Sequence, residues 1–238
     1  MFKKHDILRT GREDYYWDNQ GILRMLSIGI PMALNYSITA IGTMILQSAI
    51  NVFGSSTVAA FTAASKVSNI ATQTFPTLGT AMATYCGQNL GAGKYKRITQ
   101  GMRQSFYLCF VAAALAALIC CCAGPFMVSW FISNPSAETM NAAMQYLYTI
   151  SAFMIPLGWI FIYRNGLQGL DRGFLPMLSG VVELVSRYVV ILIAAKPYGY
   201  LGVCFADPAA WLVTGIMLLI AYLAWKHQMS EHIKACEE

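Results

Sequence analysis

Between Phe106 and Ala123 the chain runs for eighteen residues without a charged side chain, and it carries several comparable runs. An α-helix needs about 20 apolar residues to cross the hydrocarbon core of a bilayer, so such runs constrain the fold more than any other feature. Only 11% of the 238 residues are charged and 57% are hydrophobic, against roughly 25% charged in ordinary globular domains. A soluble domain of this composition could not cover its own surface. The sequence therefore reads as an all-α integral membrane protein, to which the usual count of soluble domains does not apply.

Six apolar segments are legible, at about 26–52, 58–86, 106–123, 143–163, 175–195 and 203–225. The first holds Pro31 near its start and recurrent small or polar residues, among them Asn35, Ser37, Thr43 and Gln47, so one side of it should face protein or a wet cavity. Pro76 lies in the second and Pro156 breaks the fourth. The third is the most uniformly apolar and is expected to be the most lipid-exposed. Residues 124–140 read as a connection, with Asn134-Pro135-Ser136 as turn and helix-start signal. The organisation expected is a polar arm over 1–24, a six-helix lobe over 25–226 and a polar tail over 227–238. Nothing at the N-terminus has the layout of a signal peptide.

Six spans place both termini on one side, and the basic residues then segregate. Thirteen of the sixteen Lys and Arg fall in the arm, the tail with the adjoining Lys226, and the connections after the second and fourth spans. Lys196 alone falls on the other side, while Lys66 and Arg187 lie inside spans. Basic residues collect in cytoplasmic loops, which makes both termini cytoplasmic in a multi-pass protein of the cell membrane. No basic stripe suited to a nucleic acid is present.

Gly87-Gln88-Asn89-Leu90-Gly91-Ala92-Gly93-Lys94 is a glycine-rich stretch ending in a basic residue. A phosphate loop needs glycine, four residues, then Gly-Lys-Ser/Thr; here Ala92 takes the second glycine position and Tyr95 follows Lys94. The stretch reads as a structural hinge at the cytoplasmic surface, with Gly87, Gln88, Asn89, Gly91 and Gly93 forming a helix C-terminus. The seven cysteines include no CxxC pair and read as small apolar packing residues. No histidine has a ligand partner at metal spacing.

That hinge and the preceding Val58-Ala59-Ala60-Phe61-Thr62-Ala63-Ala64-Ser65-Lys66 resemble the second helix and following loop of a lobe of the multidrug and toxic compound extrusion (MATE) family. The resemblance extends to Ile28-Gly29-Ile30-Pro31-Met32-Ala33, Leu167-Gln168-Gly169, Glu183 to Arg187 and Asp207-Pro208-Ala209-Ala210-Trp211. It implies twelve helices in two lobes, of which this chain supplies six, resembling the C-terminal lobe with part of the interlobe linker. It also implies export of drugs or other organic compounds, cationic or amphipathic, by antiport against H+ or Na+. The coupling ion would be the only cofactor, and the partners would be the lipid bilayer and either an N-terminal lobe or a second copy.

One carboxylate, Glu183, lies deep in a span, with Arg187 one helical turn on. A charge at that depth is expensive and marks a function or an ion pair. Glu183 and Arg187 are either a structural pair bracing the helix or a proton or cation exchange site; Lys66, at similar depth, is a further candidate partner of Glu183. Family members that place a coupling acid in this lobe do so partly in its first helix, and here that helix has neither Asp nor Glu. Asn35, Tyr36, Met44, Gln47 and Gln73 are the candidates for a substrate cavity, each equally suited to interhelical hydrogen bonding or packing. Asp207 and Asp171, near span ends, read as caps or loop residues. A membrane-embedded enzyme would need a cluster of His, Asp, Glu or Ser at helical spacing, which the spans lack. The alternatives to an exporter lobe are a non-transporting remnant or half-transporter needing a partner lobe, and a flippase of lipid-linked precursors.

Overall fold

The computed structural model describes residues 17–132 and 134–237, and the side chains of all of these except Arg24 and residues 230–237. Lys3, Lys4, His5, Arg9 and Arg12 of the expected arm thus lie outside the described residues, as do the side chains of His232 and Lys234. The described elements are all helical.

Helix α1 (Asn19–Asn51) begins inside the segment read as a polar arm, because the Asp18 carboxylate caps it, accepting the Gln20 N–H at 3.0 Å. It continues through Pro31. The next two helices, α2 (Ser55–Thr72) and α3 (Thr74–Gly91), follow one another across Gln73, with Pro76 in the first turn of α3. A proline there loses no hydrogen bond, since the first N–H groups of a helix have no internal acceptor. The same device recurs where α6 (Ala137–Ser151) gives way to α7 (Met154–Gly169): Pro156 sits in the first turn of α7, and the two helices are bent by 54°. As the sequence leads one to expect, Ser136 caps α6, its hydroxyl accepting from the Thr139 N–H at 3.2 Å.

The third span is longer than the sequence reading made it. Helix α4 (Tyr95–Leu118) passes through a π-helical turn at Ile119–Ala123 into α5 (Gly124–Phe131), so Gly124 and Pro125 continue the span instead of ending it. The widened turn absorbs the proline, which again occupies a first-turn position. Helix α8 (Phe174–Cys204) breaks direction at Gly199 (φ 57°), two residues after Pro197 and within the segment expected to close the fifth span. Helix α9 (Ala206–Glu237) carries on through the residues read as a polar tail.

Four of these stretches are long and apolar enough to cross a membrane, namely α1, α4 with α5, α8 and α9 up to Met229, and the bent α6–α7 pair makes a fifth. The α2–α3 pair does not qualify by apolarity, being rich in Thr, Ser, Asn and Gln. It packs along the fourth span, α2 on α6 and α3 on α7, which gives it the place of the remaining span. The other main contacts set α1 on α8, α8 on α9 and α7 on α9. Small residues permit the close approaches: a Cβ on Gly169 would collide with the Ala83 backbone, and one on Gly158 with Cys109. Within the described chain the least buried of these four spans is α1, with 11% of its most apolar window buried against 22% for α4 with α5.

Candidate functional site

Four charged side chains converge inside the bundle. Glu183 and Arg187 lie one turn apart on α8 and are 6% and 3% exposed, and Arg187 Nη2 meets Glu183 Oε1 at 3.2 Å. Arg164 reaches in from α7 to place Nη2 2.8 Å from Glu183 Oε2, while its Nε donates to Ser179 Oγ at 2.9 Å. Asp207, in the first turn of α9, accepts from Arg187 Nε through Oδ1 at 2.7 Å and from the Tyr146 hydroxyl through Oδ2 at 3.4 Å. Every carboxylate oxygen of the cluster thus has a donor, and two cations balance two anions. Only in such pairing is charge tolerated at this depth, because an uncompensated buried ion costs several kcal/mol.

The geometry corrects three sequence expectations. Lys66 does not pair with Glu183; its side chain is exposed and its Nζ sits 5.3 Å from the centre of the Phe131 ring. The cation opposite Glu183 is instead Arg164, which the sequence reading left in the hinge after the fourth span. Asp207 is no surface cap but the second anion of the buried cluster. The signal for both was the missing charge balance: Arg187 alone could not serve a buried acid and a nearby aspartate, and Arg164, at the end of the fourth span, carries the further positive charge.

A cavity of about 370 Å³ opens beside the cluster, between α1, α2, α6, α7, α8 and α9. Arg187, Asp207 and Tyr146 form its charged wall, with Gln47, Ser68 and Asn69 opposite and Phe61, Leu157 and Trp211 as apolar lining. Of the five cavity candidates, the structure brings only Gln47 here, its amide donating to Asn51 Oδ1 at 3.1 Å. Asn35 is buried and donates to the Pro176 carbonyl at 2.6 Å; with Tyr36 it borders a separate, smaller pocket beside Arg164. Met44 and Gln73 are exposed and line neither. One nitrogen of the cluster, Arg187 Nη1, is buried without a hydrogen-bond acceptor and rests over Gly42 of α1, where a Cβ would displace it.

The glycine-rich hinge is a helix terminus, as its spacing implies. Lys94 N–H donates to the Asn89 carbonyl at 2.8 Å and Gly93 N–H to the Leu90 carbonyl at 3.0 Å, with Gly93 at φ 67°. This is the Schellman pattern, which satisfies the last carbonyls of α3 by turning through the left-handed region. Asn89 Nδ2 caps the Tyr85 carbonyl at 2.8 Å, and the Tyr85 hydroxyl ties the hinge to α4 by donating to the Arg97 carbonyl at 3.0 Å. Gly87 packs near the Gly169 carbonyl. The same pattern closes α7, where Arg172 N–H donates to the Leu167 carbonyl at 3.1 Å and Asp171 takes the left-handed position at φ 61°. The two basic connections therefore lie side by side at one end of the bundle.

Comparison with known proteins fits this architecture. The model of the family described as MatE matches residues 31–193. A protein named "Probable multidrug resistance protein YpnP", from Bacillus subtilis, is 28% identical over 174 residues, 73% of this chain and 38% of its own length. The "FAD transporter" of Shewanella oneidensis is 24% identical over an alignment covering 98% of this chain and 50% of that protein. The crystal structure of the Vibrio cholerae MATE transporter VcmN in the bent form superposes with a TM-score of 0.83 at 16% identity, over 93% of this chain and 50% of that one. At that identity the likeness is one of fold. The chain spans half the length, or less, of these relatives.

Proposed function

Because the chain belongs to the MatE family, we propose that it forms one six-helix lobe of a secondary active transporter that exports organic compounds across the cell membrane, coupled to inward movement of H+ or Na+. The observation that carries the coupling is the charge-balanced cluster of Arg164, Glu183, Arg187 and Asp207 beside a cavity, in which every carboxylate oxygen has a donor. A proton or cation arriving at Glu183 removes one negative charge from a balanced set, so an arginine must lose its partner. Arg187 rests on α1 at Gly42, and α1 is also held to α8 by Asn35 on the Pro176 carbonyl. A change in the cluster's charge is therefore felt directly by the least buried helix. The test is proton or sodium flux in proteoliposomes containing the complete transporter: Glu183→Gln should abolish substrate-stimulated flux, and flux at the original rate would overturn the assignment.

A half-transporter that works only with a second lobe is favoured by one further observation. Lys66, Asn69 and Gln73 are all exposed on α2 and its junction with α3, and Ser37 and Ser48 are exposed on α1. Polar groups at membrane depth face protein or water rather than lipid, so this face is suited to a wet cavity closed by another lobe, either an N-terminal one or a second copy. The basic residues gathered at the side-by-side hinges support a cytoplasmic position for that end of the bundle. For substrate, organic cations and amphiphiles remain the reading. Because each carboxylate in the cluster is already engaged, a cationic substrate would have to compete with an arginine, which makes its binding and that of the coupling ion mutually exclusive.

A further inference from the structure

At the end of the bundle that carries the basic hinges, α4, α7 and α9 leave between them a cleft of about 350 Å³ that plays no part in the buried cluster. Arg103 of α4 and Lys226 of α9 stand on it, and neither has a carboxylate partner among the described side chains. Its inner wall is aromatic. The rings of Tyr163 and Tyr222 are 5.4 Å apart and only 8% and 7% exposed, and Phe106 stacks on Trp159 alongside at 5.6 Å. The size falls within the roughly 300–1,000 Å³ of small-molecule sites, and a lining that holds two cations and no carboxylate favours an oxyanion.

Depth decides the class of that anion. Arg103 precedes the uncharged run from Phe106 by three residues, about 4.5 Å along the helix. Lys226 directly follows Trp225, where the apolar part of α9 ends, and Trp225 stacks with Tyr222 at 6.0 Å. Both cations thus stand at the boundary between hydrocarbon and water, the level of lipid phosphates, within an aromatic belt. Beyond the cleft, the outer face of α4 exposes Tyr107, Phe110 and Val111 along the apolar run. A free phosphate would use the cations and leave that apolar track unused; a molecule with a phosphate head and acyl tails would use both. We propose that this cleft binds the headgroup phosphate of an anionic phospholipid, with the acyl chains lying along α4.

The experiment is native mass spectrometry of the full chain released from nanodiscs containing phosphatidylglycerol or phosphatidylcholine, with inorganic phosphate as a separate arm. Retention of phosphatidylglycerol over phosphatidylcholine is expected, with about a thirtyfold loss of affinity in the Arg103→Gln/Lys226→Gln double variant. The charge-keeping Arg103→Lys/Lys226→Arg variant should retain the lipid, and so should Lys94→Gln/Lys96→Gln, which removes equal charge from outside the cleft. Equal binding by the double Gln variant would overturn the site. Equal loss in the Lys94/Lys96 variant would reduce it to general surface charge, and displacement of the lipid by millimolar inorganic phosphate would assign the cleft to a soluble ligand instead. None of these readouts depends on transport.

Discussion

Arg187 holds two carboxylates contributed by different helices, Glu183 one turn back on α8 and Asp207 at the start of α9. Replacing it with Met leaves two buried anions facing one cation, Arg164, and should destabilise the bundle by about 3–5 kcal/mol. Arg164→Gln should cost clearly less, because Glu183 keeps Arg187 and the Arg164 side chain is 15% exposed and already partly solvated. Thermal unfolding in detergent, followed by the loss of monodisperse protein, ranks the two; equal losses would mean the four residues do not act as a connected cluster. At this scale the sequence showed the i, i+4 pair, since helical spacing alone brings Glu183 and Arg187 together. It did not show Arg164 and Asp207 as their partners, because those are 19 and 20 residues away from Glu183 and Arg187 and meet them only through the packing of α7 and α9 on α8.

Helices in this chain are punctuated by prolines in first turns, at Pro76, Pro125, Pro156, Pro176 and Pro208. The placement breaks spans two and four into pairs at positions where the N–H that proline lacks would have no intrahelical acceptor. The contact between α3 and α7 depends on Gly169, whose Cα hydrogen faces the Ala83 backbone. Gly169→Ala has no flexible side chain to push aside and should cost about 1–3 kcal/mol. Gly87→Ala at the neighbouring position should be mild, because the nearest atom to its Cβ, the Gly169 carbonyl, lies at 3.5 Å. At the hinge, Gly93→Ala forces an L-residue to φ 67° and should cost about 1 kcal/mol. Thermal melts of the three variants side by side check the order Gly169, Gly93, Gly87. If Gly87→Ala proved the most damaging, the α3–α7 interface would have to lie elsewhere.

For the molecule as a whole, the proposed membrane orientation rests on where basic residues are gathered. In a background with the native cysteines replaced by Ala, a cysteine at Lys94 should react with a membrane-impermeant thiol reagent only when the cytoplasmic face is opened, and one at Lys196 should react from outside in intact cells. The reverse pattern would invert the topology and with it the cytoplasmic position of the hinges. The exposed polar face around Lys66, Asn69 and Gln73 makes a second expectation: cysteines placed at Asn69 and Gln73 should crosslink to a second lobe or a second copy of the chain. Failure to crosslink in a functional assembly would remove this face from the lobe interface.

Membrane residence, the pattern of six segments and the segregation of basic residues were legible in the sequence by itself, because transfer into hydrocarbon is a property of each segment and needs no partner. The hinge was legible for the same local reason, since its glycine spacing fixes a helix terminus and excludes a phosphate loop. The break of the second span into α2 and α3, the continuation of α4 past Pro125 and the sparse packing of α1 within this lobe were decided by the tertiary structure. So were the roles of Lys66, Arg164 and Asp207. A charge in a bilayer is stable only beside its counter-charge, and which charges become neighbours is set by how the helices pack, not by their order along the chain.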